Sequence, residues 1–321
     1  MNFSSNIFTH ADLAPLHEFL ASRLGDIATY PEPEPHSLER MIAEREGIDP
    51  ECVAVTSGAT EAIYLIAHAF RDHTPIISKP TFSEYESASR IHSLHEPIFV
   101  DGPQPIAVGN AIYWLCDPNN PTGKVAGKET LRTLPQQDDS IIVADHAYED
   151  YTTAKLTSDK EAIDMGNVLL LHSLTKRYCI PGLRLGYVVG AQPLTSLIKS
   201  VRQPWSVNAL ALAAGEFLVA LAPFADAKAL CAEAQWLNNQ LNGIGGVEAL
   251  PTQTNFMLCR LHGAQAHLLK EWLVDRHGIL IRDASNFRGL DASFFRVAAQ
   301  TRSENEALVA AIKEFMNCGW H

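Results

Sequence analysis

Residues 168–190 read VLLLHSLTKRYCIPGLRLGYVVG. Val168 to Leu171 is an unbroken apolar run of strand length and Leu185 to Val189 is a second, the pattern of strands buried on both faces. A strand of that kind needs cover above and below it, which restricts the chain to layered architectures with a sizeable core. With 46% apolar residues in 321, the chain is long and apolar enough to build one. Between the two runs the sequence predicts a polar loop holding Lys176, flanked by the hydroxyls of Ser173 and Thr175, then a Pro181-Gly182 turn and Arg184. An amine at the rim of two buried strands is partly desolvated, which lowers its pKa and frees it to hold a carbonyl cofactor as a Schiff base. Hydroxyls and an arginine beside it suit a phosphate. Taken alone, a loop lysine is more often simply solvated.

The remaining strands and helices alternate. Short apolar strands are expected at Cys52–Thr56, Pro75–Ser78, Pro97–Val100, Ala111–Cys116 and Ile141–Ala144. Helices are expected near Asp12–Leu24, Thr60–Phe70 and from Ala209 onward. Such alternation is the mark of repeated βαβ units and a doubly wound, mainly parallel sheet. After about residue 205 the pattern changes to strands at Asn255–Cys259 and Phe294–Ala298 with helices near Ala266–Arg276 and Ser303–Phe315, as in a smaller α+β unit. The expected division is a large domain over 31–205 and a small domain from 1–30 and 206–321.

Chemistry-bearing residues cluster after the expected strands, where open parallel sheets bind ligands. Ser57-Gly58-Ala59-Thr60 forms a turn into a helix N-terminus, with free N–H groups and a helix dipole suited to phosphate; such turns also serve as plain caps. Asp145 ends its strand, with Tyr148 just beyond. A carboxylate there can pair with a pyridinium nitrogen or cap a helix. Asp117-Pro118-Asn119-Asn120-Pro121-Thr122-Gly123 is turn chemistry by composition. Tyr30-Pro31-Glu32-Pro33 is a stiff extended stretch, a linker or an arm. Arg296 sits inside the apolar run Phe294–Ala298, costly unless an anion meets it; Arg282 lies nearby.

SLTK followed by PGLRLGY resembles the cofactor-lysine signature of the fold-type-I pyridoxal-phosphate enzymes, the aspartate aminotransferase superfamily, and the other motifs occur in that superfamily's order. The resemblance implies an α/β fold with a mainly parallel, seven-stranded-type sheet and pyridoxal 5'-phosphate bound at Lys176. It implies a phosphate cup from Gly58, Ala59, Thr60, Ser173, Thr175 and Arg184, and Phe82 stacked on the cofactor ring. Asn120 would donate to the phenolic oxygen, Asp145 would pair with the ring nitrogen, and Tyr148 would stand beside the cofactor. Tyr30 would reach the phosphate of a neighbouring subunit, so a homodimer is expected. Within the superfamily, RDASNFRGLD followed by FFRVA, together with Asn2–Ile7, resembles L-threonine-O-3-phosphate decarboxylases, with histidinol-phosphate aminotransferases the close alternative. Ser5, Asn6, Arg282 and Arg296 are then expected to bind a small anionic amino-acid phosphate. The resemblance would also place a His-Gly-Gly element ahead of Met1. Arg177 and Arg288 stand where an apolar residue and a proline are expected.

The net charge of −12 argues against a nucleic-acid partner. No run is suited to span a membrane and MNFSSNIFTH lacks the features of a signal peptide, so a cytoplasmic location is expected. The six cysteines show no metal-ligand spacing and are read as reduced core residues; no metal is expected. A regulator that keeps this fold without turnover would carry a basic DNA-binding domain, for which the chain has no room. A nucleotide-binding protein is disfavoured because no glycine fingerprint follows a strand.

Overall fold

The computed structural model describes residues 1–106, 108–134 and 139–318. Seven strands form the larger sheet: β1 (Val53–Thr56), β2 (Thr74–Lys79), β3 (Ile98–Asp101), β4 (Ala111–Cys116), β5 (Ile141–Asp145), β6 (Val168–His172) and β7 (Gly186–Gly190), in the order β1-β7-β6-β5-β4-β2-β3. Alternate residues of the central strands enter different cores. Ile112, Trp114 and Cys116 of β4 join Val143 of β5 and Leu169 and Leu171 of β6 on one face. Ala111, Tyr113 and Leu115 join Ile142, Ala144, Val168 and Leu170 on the other. The continuous apolar runs are therefore explained by cover on both faces.

One strand runs against the rest. β7 is antiparallel to both β6 and β1, whereas β2, β3, β4, β5 and β6 pair in parallel. The residues between β6 and β7 hold only one helical turn, Leu174–Arg177, too little for a crossover, so the chain folds straight back. This corrects the expected loop: Lys176 lies on that turn, at the carboxyl edge of the sheet beside the ends of β4 and β5. Gly186 is required here, because a Cβ would stand 2.7 Å from the Ala59 N and 2.8 Å from the His172 O.

The second sheet is antiparallel, β8 (Val247–Ala249), β9 (Phe256–Leu261), β10 (Arg282–Asp283) and β11 (Phe294–Ala298), in the order β10-β11-β9-β8. Its core includes Leu237, Met257, Leu273, Phe295 and Phe315, and also Phe3 from the other end of the chain. The Phe3 N–H donates to the Leu280 carbonyl at 2.8 Å and the Ala298 N–H to the Phe3 carbonyl at 2.9 Å. Packing divides the chain differently from the expected boundaries. Leu13, Leu16 and Leu20, with Val207, Ala211, Leu212 and Leu218, pack on Leu38, Val53, Val55 and Leu185 of the large unit, although the sequence assigned them to the small one. The helix Ala209–Leu218 is apolar nearly all round, which signals burial without saying against which unit.

None of the cysteines is in a disulfide. Cys52, Cys116, Cys179 and Cys259 are buried as expected, Cys231 is half-buried and Cys318 is exposed, so the core reading fails at Cys318. Among the described residues no helix is long and apolar enough to cross a membrane.

Candidate active site

A cavity of about 310 Å³ opens at the carboxyl edge of the large sheet and is closed by the small unit. Among its lining residues are Ser5, Asn6, Ala59, Thr60, Phe82, Asn120, Asp145, Tyr148, Ser173, Thr175, Lys176, Arg184, Arg282 and Arg296, all anticipated from sequence. That volume and its few convergent polar groups are typical of a small-molecule site.

One end gathers groups suited to a phosphate. The helix Gly58–Ala69 points its N-terminus at the cavity, with Ala59 and Thr60 on the lining. Gly58 is just behind; its φ is +82° and a Cβ there would meet the Arg184 guanidinium at 2.8 Å, so only glycine lets the arginine lie across the helix start. Arg184 itself has φ +58° and makes no ion pair among the described residues. Ser173 and Thr175 complete this end, though the Thr175 hydroxyl also donates to the Leu185 carbonyl at 3.3 Å.

Lys176 is half-buried, with its Nζ 5.8 Å from the centre of the Tyr148 ring. Burial, and then the charges of Arg296 and Arg184, lower its pKa to about 8. The amine is thus partly neutral at working pH, as a nucleophile must be. Tyr148 packs edge-on against Phe256 at 4.9 Å, and burial pushes its hydroxyl up to about 12.

Asp145 ends β5 with both oxygens occupied: Oδ2 accepts from the Tyr85 hydroxyl at 2.6 Å and Oδ1 from the Ala147 N–H at 2.9 Å. It begins no regular helix; its local bond closes a turn. Phe82, on the wall nearby, contacts Tyr85 edge-on at 5.8 Å.

The opposite end is cationic. Arg296 is buried on β11, its Nη1 donating to the Asn120 Oδ1, its Nη2 to the Ser4 carbonyl at 2.5 Å, and its Nε left without a partner. Asn120 therefore turns its oxygen to the guanidinium, leaving its –NH₂ for another acceptor. Burial and then Arg282 lower the Arg296 pKa to about 10. Arg282 donates to the Asn286 Oδ1 at 3.1 Å. Asn6 is buried on the lining with neither amide atom satisfied, an orphan that a ligand can meet.

Two expected site residues, Gly58 and Tyr30, fall outside this lining. Tyr30 is 85% exposed and tilted against Trp205 at 5.5 Å. Arg177, beside Lys176, turns away to pair with Asp150 at 3.0 Å. Conversely, Ser4, Ile63, Ser83, Cys116, Ala147 and Phe287 line the cavity without having been singled out. Phe287 and Arg288 both lie in the segment RDASNFRGLD, Arg282–Asp291, which the sequence already sets apart. Arg288 forms a two-bond pair with Glu86 and lies 4.0 Å from the Phe99 ring, which accounts for a cation at that place.

The residues present fit pyridoxal phosphate: a helix N-terminus with an unneutralised arginine for its phosphate, an aromatic wall for its ring, a carboxylate for its ring nitrogen and an amine of lowered pKa for its carbonyl. The profile of the family described as aminotransferase class I and II matches residues 1–312. The chain is 30% identical to the threonine-phosphate decarboxylase of Salmonella typhimurium, over 98% of this chain and 91% of that one. It is 28% identical to the histidinol-phosphate aminotransferase of Caldanaerobacter subterraneus, over 94% and 90%. A crystal structure of L-threonine-O-3-phosphate decarboxylase from Porphyromonas gingivalis superposes with a TM-score of 0.93 at 34% identity, covering 99% of each chain.

Proposed function

Starting from the fact that the chain belongs to the class I and II aminotransferase family, whose members depend on pyridoxal phosphate, we propose that it decarboxylates L-threonine O-3-phosphate to 1-aminopropan-2-ol O-phosphate. The observation that carries this reading is the pair Arg282 and Arg296. They stand directly opposite on β10 and β11, and among the described residues neither has a carboxylate partner. Like charges across a strand pair repel, and the arrangement becomes favourable when anions bind between them. L-threonine O-3-phosphate brings two, a carboxylate and a phosphate; histidinol phosphate brings one.

When bound, pyridoxal phosphate supplies the electron sink that accepts the pair released at Cα. The chain's own residues decide which pair that is. Gly58, Ala59, Thr60, Ser173, Thr175 and Arg184 would take the cofactor phosphate, Phe82 and Asp145 would hold the ring, and the Asn120 amide and Tyr148 would serve its phenolic oxygen. Arg296 and Arg282, with Ser5 and Asn6, hold the substrate's anionic ends and so set the rotation about Cα. A substrate held so that its Cα–carboxylate bond is the one cleaved would lose carbon dioxide, and Lys176 Nζ, or a water beside it, would return a proton to Cα. A substrate held so that its Cα–H bond is the one cleaved would instead give its proton to Lys176, and amino transfer would follow. That second outcome, with histidinol phosphate as substrate, is the alternative favoured by the 28% identical relative.

The test supplies phosphothreonine with no 2-oxo acid and assays carbon dioxide and the amine. If neither forms, while histidinol phosphate with 2-oxoglutarate yields glutamate, the decarboxylase reading is wrong. A homodimer is also part of the proposal: the exposure of Tyr30 on its proline-stiffened arm supports a role toward a second subunit.

A further inference from the structure

Asp145 is buried on the cavity wall, and burial raises its pKa; among the groups that oppose this, the hydrogen bond from Tyr85 is the largest, ahead of the Ala147 N–H, His172 and Lys176. A carboxylate left there without donors would take up a proton and lose the charge that pairs with a ring nitrogen. Tyr85 lies one helical turn after Phe82, in the first turn of the helix Glu84–His92. It is held by rings on two sides, Phe82 edge-on at 5.8 Å and Trp114 stacked at 5.3 Å with 15° between planes. Its hydroxyl reaches Oδ2 of Asp145 at 2.6 Å, a short charge-assisted bond. Burial and the neighbouring Asp145 charge push the phenol well above its ordinary pKa of 10, so it stays a donor throughout the working range.

We propose that Tyr85 is a positioning residue for Asp145: the phenol fixes the carboxylate as an anion at the cavity wall, and thereby governs protonation of the cofactor ring nitrogen. One short segment then provides both the ring stack, through Phe82, and support for the ring-nitrogen partner, through Tyr85. The inference is independent of which substrate is used.

The test compares wild type with Tyr85→Phe, which keeps the ring stack and removes only the hydroxyl. A protonated ring nitrogen lowers the pKa of basic groups conjugated to it. The pH midpoint of the bound cofactor's visible absorbance should therefore rise by about one unit in the variant. Asp145→Asn should raise it too, and the double variant no further, because both changes act on one interaction. Reconstitution with a cofactor analogue whose ring nitrogen is replaced by carbon separates positioning from packing. With that analogue, Tyr85→Phe and wild type should share one midpoint. An unchanged midpoint with the ordinary cofactor, or an equal shift with the analogue, overturns the proposal. If Tyr85→Phe does not fold, Tyr85→His is measured in its place, and any shift it shows must vanish with the analogue.

Discussion

Lys176 shows how much a local environment changes a side chain whose identity is plain in sequence. Borohydride reduction of the cofactor-loaded protein followed by peptide mapping should label Lys176; a label on another lysine would refute its role. Its pKa, lowered to about 8, carries a sign. Only the neutral amine attacks a carbonyl, so covalent uptake of pyridoxal phosphate by the cofactor-free protein should accelerate as pH rises from 6 and level off above about 8. Stopped-flow absorbance would show it, and a flat profile would contradict the lowered pKa. Arg296→Lys keeps a charge but loses the planar fork that meets Asn120 and Ser4. Losing a charged hydrogen bond costs about 1.5–3 kcal/mol, so kcat/KM for phosphothreonine should fall roughly 10- to 100-fold. The motif residues were legible because their chemistry follows from residue type and spacing. Tyr85 was not, since its contact with Asp145 spans 60 positions that no local pattern connects.

At the scale of elements, the turn carrying Lys176 leans on a buried charge cluster. His172, the last residue of β6, bonds Glu149 at 2.8 Å and Asp159 at 2.9 Å, and stacks on Tyr187 of β7 at 4.6 Å. Those carboxylates hold the imidazole well above its ordinary 6.5 against the effect of burial, while His172 in turn holds Glu149 down to about 2. A raised histidine contributes stability that is full below pH 6.5 and lost as pH climbs through its folded value. A lowered glutamate contributes above its ordinary 4.5 and loses that contribution as pH falls toward 2. Melting temperature should thus peak between those ordinary values and decline on both sides. His172→Gln, which leaves the buried Asp159 without its cation and the half-buried Glu149 with only Arg177, 3.9 Å away, should cost about 3 kcal/mol and remove the alkaline decline due to this group. A Tm profile that keeps that decline unchanged would show the cluster is not its source. The strands here were readable because burial on both faces leaves a continuous apolar run. The reversed direction of β7 was not, because an apolar run is the same read either way.

For the whole molecule, light scattering should report about twice 35.3 kDa, and Tyr30→Phe should weaken cofactor retention if the tyrosine serves a neighbouring subunit. A monomer with full activity would refute both. By itself the sequence determined the layered α/β class, the strands of the large sheet and most of the polar residues of the cavity wall. Those depend on periodicity, turn chemistry and residue type, which are local. Only the tertiary structure decided that residues 13–20 and 207–224 pack with the large unit. The same holds for the facing positions of Arg282 and Arg296 on neighbouring strands, and for the tyrosine behind the carboxylate at the end of β5. Each of these depends on which distant surfaces meet, and an apolar or charged side chain states its need for a partner without naming it.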